Sequence, residues 1–310
     1  MSAPDTGERL LEAAERLFSE GGFAAFQPQW MSSKYFAERQ PRKRMRVRVS
    51  VTTTVLAFCV IFLTGVVAQA QPTTTLKPET TEAFDRYVGS WEREFVQSME
   101  SGAPGLWMDD HQQRASARSG TILIRKIESV PEIPGGIIHG WEGLVFIPDT
   151  KVEAVVGLLF DYVRHKDVYP EVIDSRLISR QGDTVRGYLR LKKEKVLTVV
   201  LNTEHEARVL RGSDGRSYIL SHSTRIAEVR NVGKKDEKEL PVGKDSGFVW
   251  RLNAYWALEQ AEDGTLVECV SISLSRKIPW GLGWMIRPIV ESMPCEALEK
   301  MLQATRVALH

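Results

Sequence analysis

The end of the chain constrains the fold more than any other stretch. From Pro294 onward, apolar residues recur at steps of three and four, which is typical of an amphipathic helix: Leu298, Met301, Leu302, Thr305 and Leu309. We place the start of this helix at Ser292 and Pro294, because proline is tolerated in a first turn, and we expect a break or kink at Pro288. An apolar stripe of this length needs a large apolar surface to cover it.

Alternation of apolar and polar residues indicates where that surface comes from. A strand pattern is present at 121–127, 137–148, 172–180, 185–192, 196–205, 217–230, 248–258 and 265–276. Gly182, Gly215 and Gly264 fall in short polar gaps that read as hairpin turns. A helix is predicted at 151–164, capped by Asp149 and Thr150. This order predicts an α+β fold in which an antiparallel sheet wraps a long C-terminal helix.

Composition excludes several classes of function. The 310 residues include 41 basic and 40 acidic residues, which does not suit a generally basic nucleic-acid coat. The three cysteines are too few and too scattered for a disulfide framework or a zinc site. Asp109, Asp110 and His111 are adjacent, but such a group on a loop is more often solvated than metal-binding. We therefore expect no metal and no cofactor.

The first 30 residues contain a short amphipathic helix. Residues 6–26 combine a Leu and Ala stripe with the Gly21-Gly22-Phe23 exit, and they resemble the first helix of a TetR-type regulator. The continuation lacks the pattern of a second helix and a recognition helix, which a DNA-reading module needs. We therefore do not expect residues 1–30 to be a working domain, nor nucleic acid to be a partner. A TetR-type DNA-binding regulator remains an alternative, with the basic stretch Arg42–Arg48 as its further support.

Residues 42–70 have the pattern of an export signal. A basic stretch precedes the apolar run Val51–Ala68, and Ala68-Gln69-Ala70 matches a cleavage site. The run also approaches the length that spans a bilayer, so residues 51–70 remain an alternative inner-membrane anchor. We expect the protein to be exported to the periplasm or beyond, or anchored, with translation starting at Met31 or Met45. Residues 71–79 read as a linker, and 80–118 as a helical lead segment.

The order of elements in residues 119–310 resembles the helix-grip fold of START-like proteins, the SRPBCC superfamily. The stretches that carry this resemblance are WEGLVFIP, DTKVEAVVGLLFDYVRHKDVYPEV and the closing helix after IPWGLGW. The resemblance implies a curved sheet that grips the terminal helix and leaves an apolar cavity for a lipid, a sterol or a similar ligand. Members of the superfamily share no single catalytic constellation, so no catalytic residue is carried over.

Alternation also suggests which side chains a ligand would meet, although it leaves open which face of the sheet is inward. Arg225 and Arg251 are candidates to orient an anionic end of an apolar ligand, or else they are ordinary cross-strand ion-pair partners. Arg251 shares its face with Asn253 and Tyr255. On an earlier strand we select Trp141 as core or cavity wall and His139 as a polar group. These six are the predicted ligand-binding residues.

The leading hypothesis is an exported or anchored protein that binds a hydrophobic small molecule or lipid without chemistry. A polyketide cyclase-like enzyme that uses the same cavity is the alternative, although the sequence carries no hydrolase, metalloprotease, phosphate-loop or dinucleotide motif. The aromatic turn around Trp280 and Trp284 has two interpretations, a packed hinge or a rim that touches a membrane.

Overall fold

A computed structural model describes residues 73–101, 106–194, 198–277 and 283–310, with the backbone alone for 283–291. The predicted helix at 6–26, the signal or anchor at 42–70 and most of the turn around Trp280 lie outside these residues. Within the described ranges no helix is long and apolar enough to cross a bilayer.

The described elements follow the predicted order closely. The helices are α1 Pro78–Ser101, α2 His111–Arg118, α3 Val152–Phe160, α4 His165–Val168 and α5 Gly283–Leu309. The longer strands are β2 Leu123–Lys126, β3 Gly136–Pro148, β4 Val172–Gln181, β5 Thr184–Glu194, β6 Thr198–Arg211, β7 Ser217–Arg230, β10 Arg251–Ala261 and β11 Gly264–Arg276. The two-residue strands are β1 Thr74–Thr75, β8 Lys238–Glu239 and β9 Lys244–Asp245.

The strands form one large antiparallel sheet in the order β2-β3-β11-β10-β7-β6-β5-β4, and β8 pairs with β7. Two of the predicted hairpin turns depend on glycine. Gly182 and Gly215 have φ angles of 57° and 80°, a region that glycine enters without steric cost. The short strands β1 and β9 pair separately.

Helix α5 packs on one face of this sheet, which we call the inner face. Leu298, Leu302 and Thr305 of the predicted stripe are at most 2% exposed. The close approach occurs at Gly143 of β3, where an added methyl carbon would lie 2.5 Å from Leu302 Cδ1. The predicted sheet around a terminal helix is confirmed.

Two details of the helix predictions are wrong. Helix α5 begins at Gly283, upstream of the predicted start, and its helical backbone continues through both Pro288 and Pro294, so there is no break at Pro288. Thr150 does not cap α3. Its hydroxyl donates instead to the carbonyl oxygens of Pro148 and Leu309, at 3.0 and 3.1 Å, and so ties the C-terminus of α5 to the start of α3.

The opposite, outer face of the sheet is covered by α1. Trp91 and Phe95 of α1 pack on Tyr255 and Tyr218, with ring centroids 4.4 Å apart for Trp91 and Tyr255 and 5.6 Å for Phe95 and Tyr218. Phe84, Val88 and Met99 of the same helix are also buried. The sheet is therefore apolar on both faces, which is why alternation along a strand does not identify the inner face.

Candidate ligand-binding site

A cavity of about 310 Å³ lies between the inner face of the sheet, helices α3 and α4, and helix α5. Its walls are mainly aliphatic and aromatic side chains: Leu159, Leu189, Leu191, Val199, Leu201, Phe248, Val249, Leu252, Trp256, Met293, Leu298 and Met301. This volume is at the lower end of the range of roughly 300–1,000 Å³ that is usual for small-molecule sites.

A row of small side chains across the sheet keeps the cavity open. Ser271 of β11 lies opposite Ala254 of β10, which lies opposite Ser221 of β7, which in turn lies opposite Ala207 of β6. All four line the cavity. Because directly paired residues share a face, four adjacent strands present nothing larger than a hydroxymethyl group along this line. The row forms the floor of the cavity.

The lining also contains three histidines, none of which is charged at neutral pH. His139 Nε2 is 2.8 Å from Ser275 Oγ, and His205 Nε2 is 3.0 Å from Thr203 Oγ1. Burial lowers the pKa of both His139 and His205 to about 4. Burial also lowers the pKa of His165, whose Nε2 lies 3.2 Å from the carbonyl oxygen of Leu158.

Tyr162 and Tyr169 contribute hydroxyl groups to the same cavity. Burial raises the pKa of each to about 12, so both remain protonated. The hydroxyl of Tyr162 is hydrogen-bonded to Ser221 on the floor, and that of Tyr169 lies 3.2 Å from Thr305 Oγ1 of α5. The polar groups of the interior are thus neutral donors and acceptors.

Charged side chains that line the cavity among the described residues are concentrated at one end, which we call the mouth. Glu171 Oε1 accepts a hydrogen bond from Lys193 Nζ at 2.8 Å and lies 3.3 Å from Lys300 Nζ. Lys193 also donates to the carbonyl oxygen of Met293 in α5, at 3.3 Å. These contacts join the end of β5, the start of β4 and helix α5 across the mouth.

Of the six predicted ligand-binding residues, the structure places only His139 in the lining. Asn253 and Tyr255 lie on the outer face under α1, where Tyr255 donates to Glu92 Oε1 at 2.6 Å. Arg251 starts β10 opposite Leu274, a residue of the core beneath α1, and donates to the carbonyl oxygen of Trp250. Trp141 packs with the core around Leu298 and Leu302 instead.

Arg225 is displaced by a β-bulge in β7 that the amino-acid sequence does not reveal. Glu204 pairs with Arg225 but His205 pairs with Ser223, so β7 has one extra residue there. This β-bulge removes Arg225 from the face of Ser221, and its guanidinium forms an ion pair with Glu239 instead. Ligand contact by the six residues stays a prediction, and their placement favours His139 alone.

The cavity also contains Tyr162, His165, His205 and the floor row, none of which is among the six predicted ligand-binding residues. The stretch Ser271-Ile-Ser273-Leu-Ser275 does alternate strictly, but such a pattern normally places serine toward solvent. Here helix α1 buries Ile272 and Leu274 on the outer face, so Ser271 and Ser273 face the cavity. Within the described part of the chain, no three His, Cys, Asp or Glu side chains lie close enough together to hold a metal ion.

An antiparallel sheet closed around a C-terminal helix, with a cavity between them, is the architecture that the sequence predicts. The predicted helix-grip fold is confirmed. No protein-family model and no curated protein matches the chain.

Solved structures with similar parts include a STAR-related lipid transfer protein from Xanthomonas axonopodis, 18% identical, with 59% of this chain and 98% of that chain covered and a TM-score of 0.37. Human STARD10 is 16% identical, with 67% and 83% covered and a TM-score of 0.37. The Zhui aromatase/cyclase from Streptomyces sp. R1128 is 11% identical, with 56% and 94% covered and a TM-score of 0.38. At these identities and TM-scores the likeness carries no conclusion about the function of this chain.

Proposed function

We propose that residues 119–310 bind a hydrophobic small molecule or lipid in the cavity between the inner face and α5, without chemistry. The observation that carries this proposal is the cavity itself, which is walled by apolar side chains and has a floor of small ones. Binding in such a cavity is favourable because the apolar surface of the ligand leaves water and contacts apolar walls. No reacting group is needed for this.

Native mass spectrometry of the protein purified from its own host tests the proposal. We expect a fraction of the protein to carry a non-covalent adduct with the mass of a lipid or another apolar metabolite. The neutral hydrophobic dye Nile red, titrated into delipidated protein, provides a second measurement. Absence of an adduct together with absence of dye binding would contradict a ligand-binding role.

A polyketide cyclase-like enzyme in the same cavity is the second candidate, and the presence of Tyr162, His165 and His205 in the lining is the observation in its favour. The surroundings of these groups favour binding instead. Burial keeps these side chains uncharged. The pKa of His205 is about 4, and a histidine with such a pKa is a weak general base at neutral pH. Turnover of an added aromatic polyketide, lost in His205→Asn, would support the enzyme.

For the location of the protein we propose export, with residues 42–70 as a signal or, if uncleaved, as an inner-membrane anchor; membrane contact is then a further expected interaction. The support is the order of a basic stretch, an apolar run and a small-residue cleavage pattern. N-terminal sequencing of the protein from its host distinguishes the two forms. A mature chain that begins at Gln71 indicates cleavage, and a mature chain that begins before Lys34 contradicts initiation at Met45.

A further inference from the structure

The floor of the cavity offers more hydrogen-bonding capacity than the protein uses. Ser271 and Ser273 line the cavity, and neither makes a side-chain hydrogen bond to any residue in the described ranges. Ser273 is 6% exposed. A hydroxyl that faces a cavity and has no partner within the protein is normally satisfied by water or by a ligand.

His139 lies next to Ser273 and offers a second group at the same place. The two residues are directly paired between β3 and β11, which places their Cβ atoms about 5 Å apart on the same face. Only Nε2 of His139 has a partner among the described residues, the hydroxyl of Ser275. One ligand oxygen between the two side chains can therefore meet both a hydroxyl and an imidazole nitrogen, groups that donate and accept.

Among the described residues, none in the interior of the cavity would balance the charge of a ligand. No arginine is part of the lining among the described residues, and its lysines are Lys192, Lys193 and Lys300. Each lysine lies within 3.3 Å of a carboxylate oxygen, Glu194 for Lys192 and Glu171 for the other two. Burial also holds His139 neutral. An anionic group at the floor would lose its hydration without gaining a cation.

We propose that the ligand is an uncharged amphiphile that buries a neutral oxygen, a hydroxyl or a carbonyl, against His139 and Ser273. Ligands of the same apolar size that carry a carboxylate or a phosphate bind more weakly, because their charge cannot be accommodated at that position. This inference rests on the proposed function, since it specifies the class of ligand for the same cavity.

A matched pair of ligands tests the inference. Dodecan-1-ol and dodecanoate have the same chain length and differ at the oxygen-bearing end, so each is titrated at neutral pH against Nile red bound to the full chain. We expect the alcohol to displace the dye with a Kd at least about tenfold lower than that of the acid. A tenfold difference corresponds to about 1.4 kcal/mol of binding free energy.

Two variants locate the effect. Ser273→Ala removes one neutral hydrogen bond and should weaken alcohol binding by about two- to tenfold, while it leaves dodecanoate almost unchanged. His139→Gln, which keeps a donor and an acceptor, should retain part of the preference for the alcohol. Ser179→Ala, the same change on strand β4 away from the lining, is the control and should leave both affinities unchanged.

The outcomes separate this inference from the proposed function. Dodecanoate that binds as tightly as the alcohol, or tighter, overturns the neutral-ligand inference. An alcohol preference that is unchanged in Ser273→Ala overturns the assignment to His139 and Ser273. Nile red bound but displaced by neither compound overturns the inference and leaves hydrophobic binding standing. Failure of the protein to bind Nile red, together with the absence of a native adduct, removes the proposed function as well.

Discussion

The two faces of the sheet are covered by helices in different ways. On the outer face, α1 places Trp91 and Phe95 directly against Tyr255 and Tyr218, and the rings fill the space between helix and sheet. On the inner face, α5 approaches the sheet closely at Gly143, and the row Ser271, Ala254, Ser221 and Ala207 leaves a cavity. The same strands thus build a filled core on one side and a binding site on the other, and side-chain size makes the difference.

Glu92 and Glu268 on the outer face differ in a similar way from Ser271 and Ser273 on the inner face. On the outer face the half-buried Glu92 accepts a hydrogen bond from Tyr255 and contacts His222, and the buried Glu268 accepts from the backbone N–H of Met108 at 2.7 Å, so both carboxylates are satisfied within the protein. On the inner face Ser271 and Ser273 have no side-chain partner in the described ranges. Internal satisfaction is what a structural core requires, whereas spare capacity suits a site that receives a ligand.

The largest expected effect is on the outer face, from Phe95→Ala. Phe95 is 8% exposed and contacts three aromatic rings, so its removal should lower the free energy of unfolding by about 3–5 kcal/mol. Urea denaturation measures this change, and Nile red affinity should remain within about twofold, since no cavity residue is altered. Arg93→Ala, an exposed position on the same helix, is the matched control. A loss below about 1 kcal/mol would show that the outer face is not a packed core.

The next effect concerns the inner face and pH. The folded-state pKa of His139 is about 4, below its value of 6.5 when exposed, so the unfolded state binds more protons between these two values. Stability from this group is therefore lost as the pH falls from about 6.5 to about 4, by at most about 3 kcal/mol. His139→Gln should show a shallower decline of unfolding free energy over this range.

A control for the pH measurement is His111→Gln, because His111 is exposed at the start of α2. The free energy of unfolding of His111→Gln should decline between pH 6.5 and pH 4 as steeply as that of the unaltered protein. Burial raises the pKa of Glu268 on the outer face, which acts in the opposite direction, but Glu268 is present in all three proteins and cancels in the comparison. An identical decline in all three would contradict a buried, neutral His139.

A smaller effect is expected from Tyr255→Phe on the outer face. The hydroxyl of Tyr255 donates to Glu92 at 2.6 Å, and burial with the nearby Glu92 carboxylate raises the pKa of Tyr255. Removing that hydroxyl should lower the free energy of unfolding by about 1–2 kcal/mol, the usual range for such a bond. Ligand binding should not change, because Tyr255 faces α1. Loss of Nile red binding in Tyr255→Phe would instead place Tyr255 in the site, as the sequence alone suggested.

The sequence was sufficient for the architecture because helix and strand periodicities are local properties. The stripe from Leu298 to Leu309 and the glycine turns at Gly182 and Gly215 are visible without knowledge of any contact. The residues of the binding site were harder to predict from the sequence. Which face is inward depends on what α1 covers, and the displacement of Arg225 depends on one extra residue in β7. His205 alternates regularly with Val199, Leu201 and Ala207 on β6, so its place in the cavity follows once the inward face is known, whereas Arg225 could not be assigned from alternation alone.

A pair of identical substitutions on strand β10 tests the difference between the two faces most directly. Ala254 faces the cavity, and Ala257, opposite Tyr218, faces the packed outer core. We expect Ala254→Leu to abolish Nile red binding and to change the free energy of unfolding by less than about 1 kcal/mol, because the added atoms enter empty space. Ala257→Leu should lower that free energy by about 1–3 kcal/mol and leave dye binding intact. Equal destabilisation by the two changes, with dye binding retained in Ala254→Leu, would contradict a ligand cavity on the inner face.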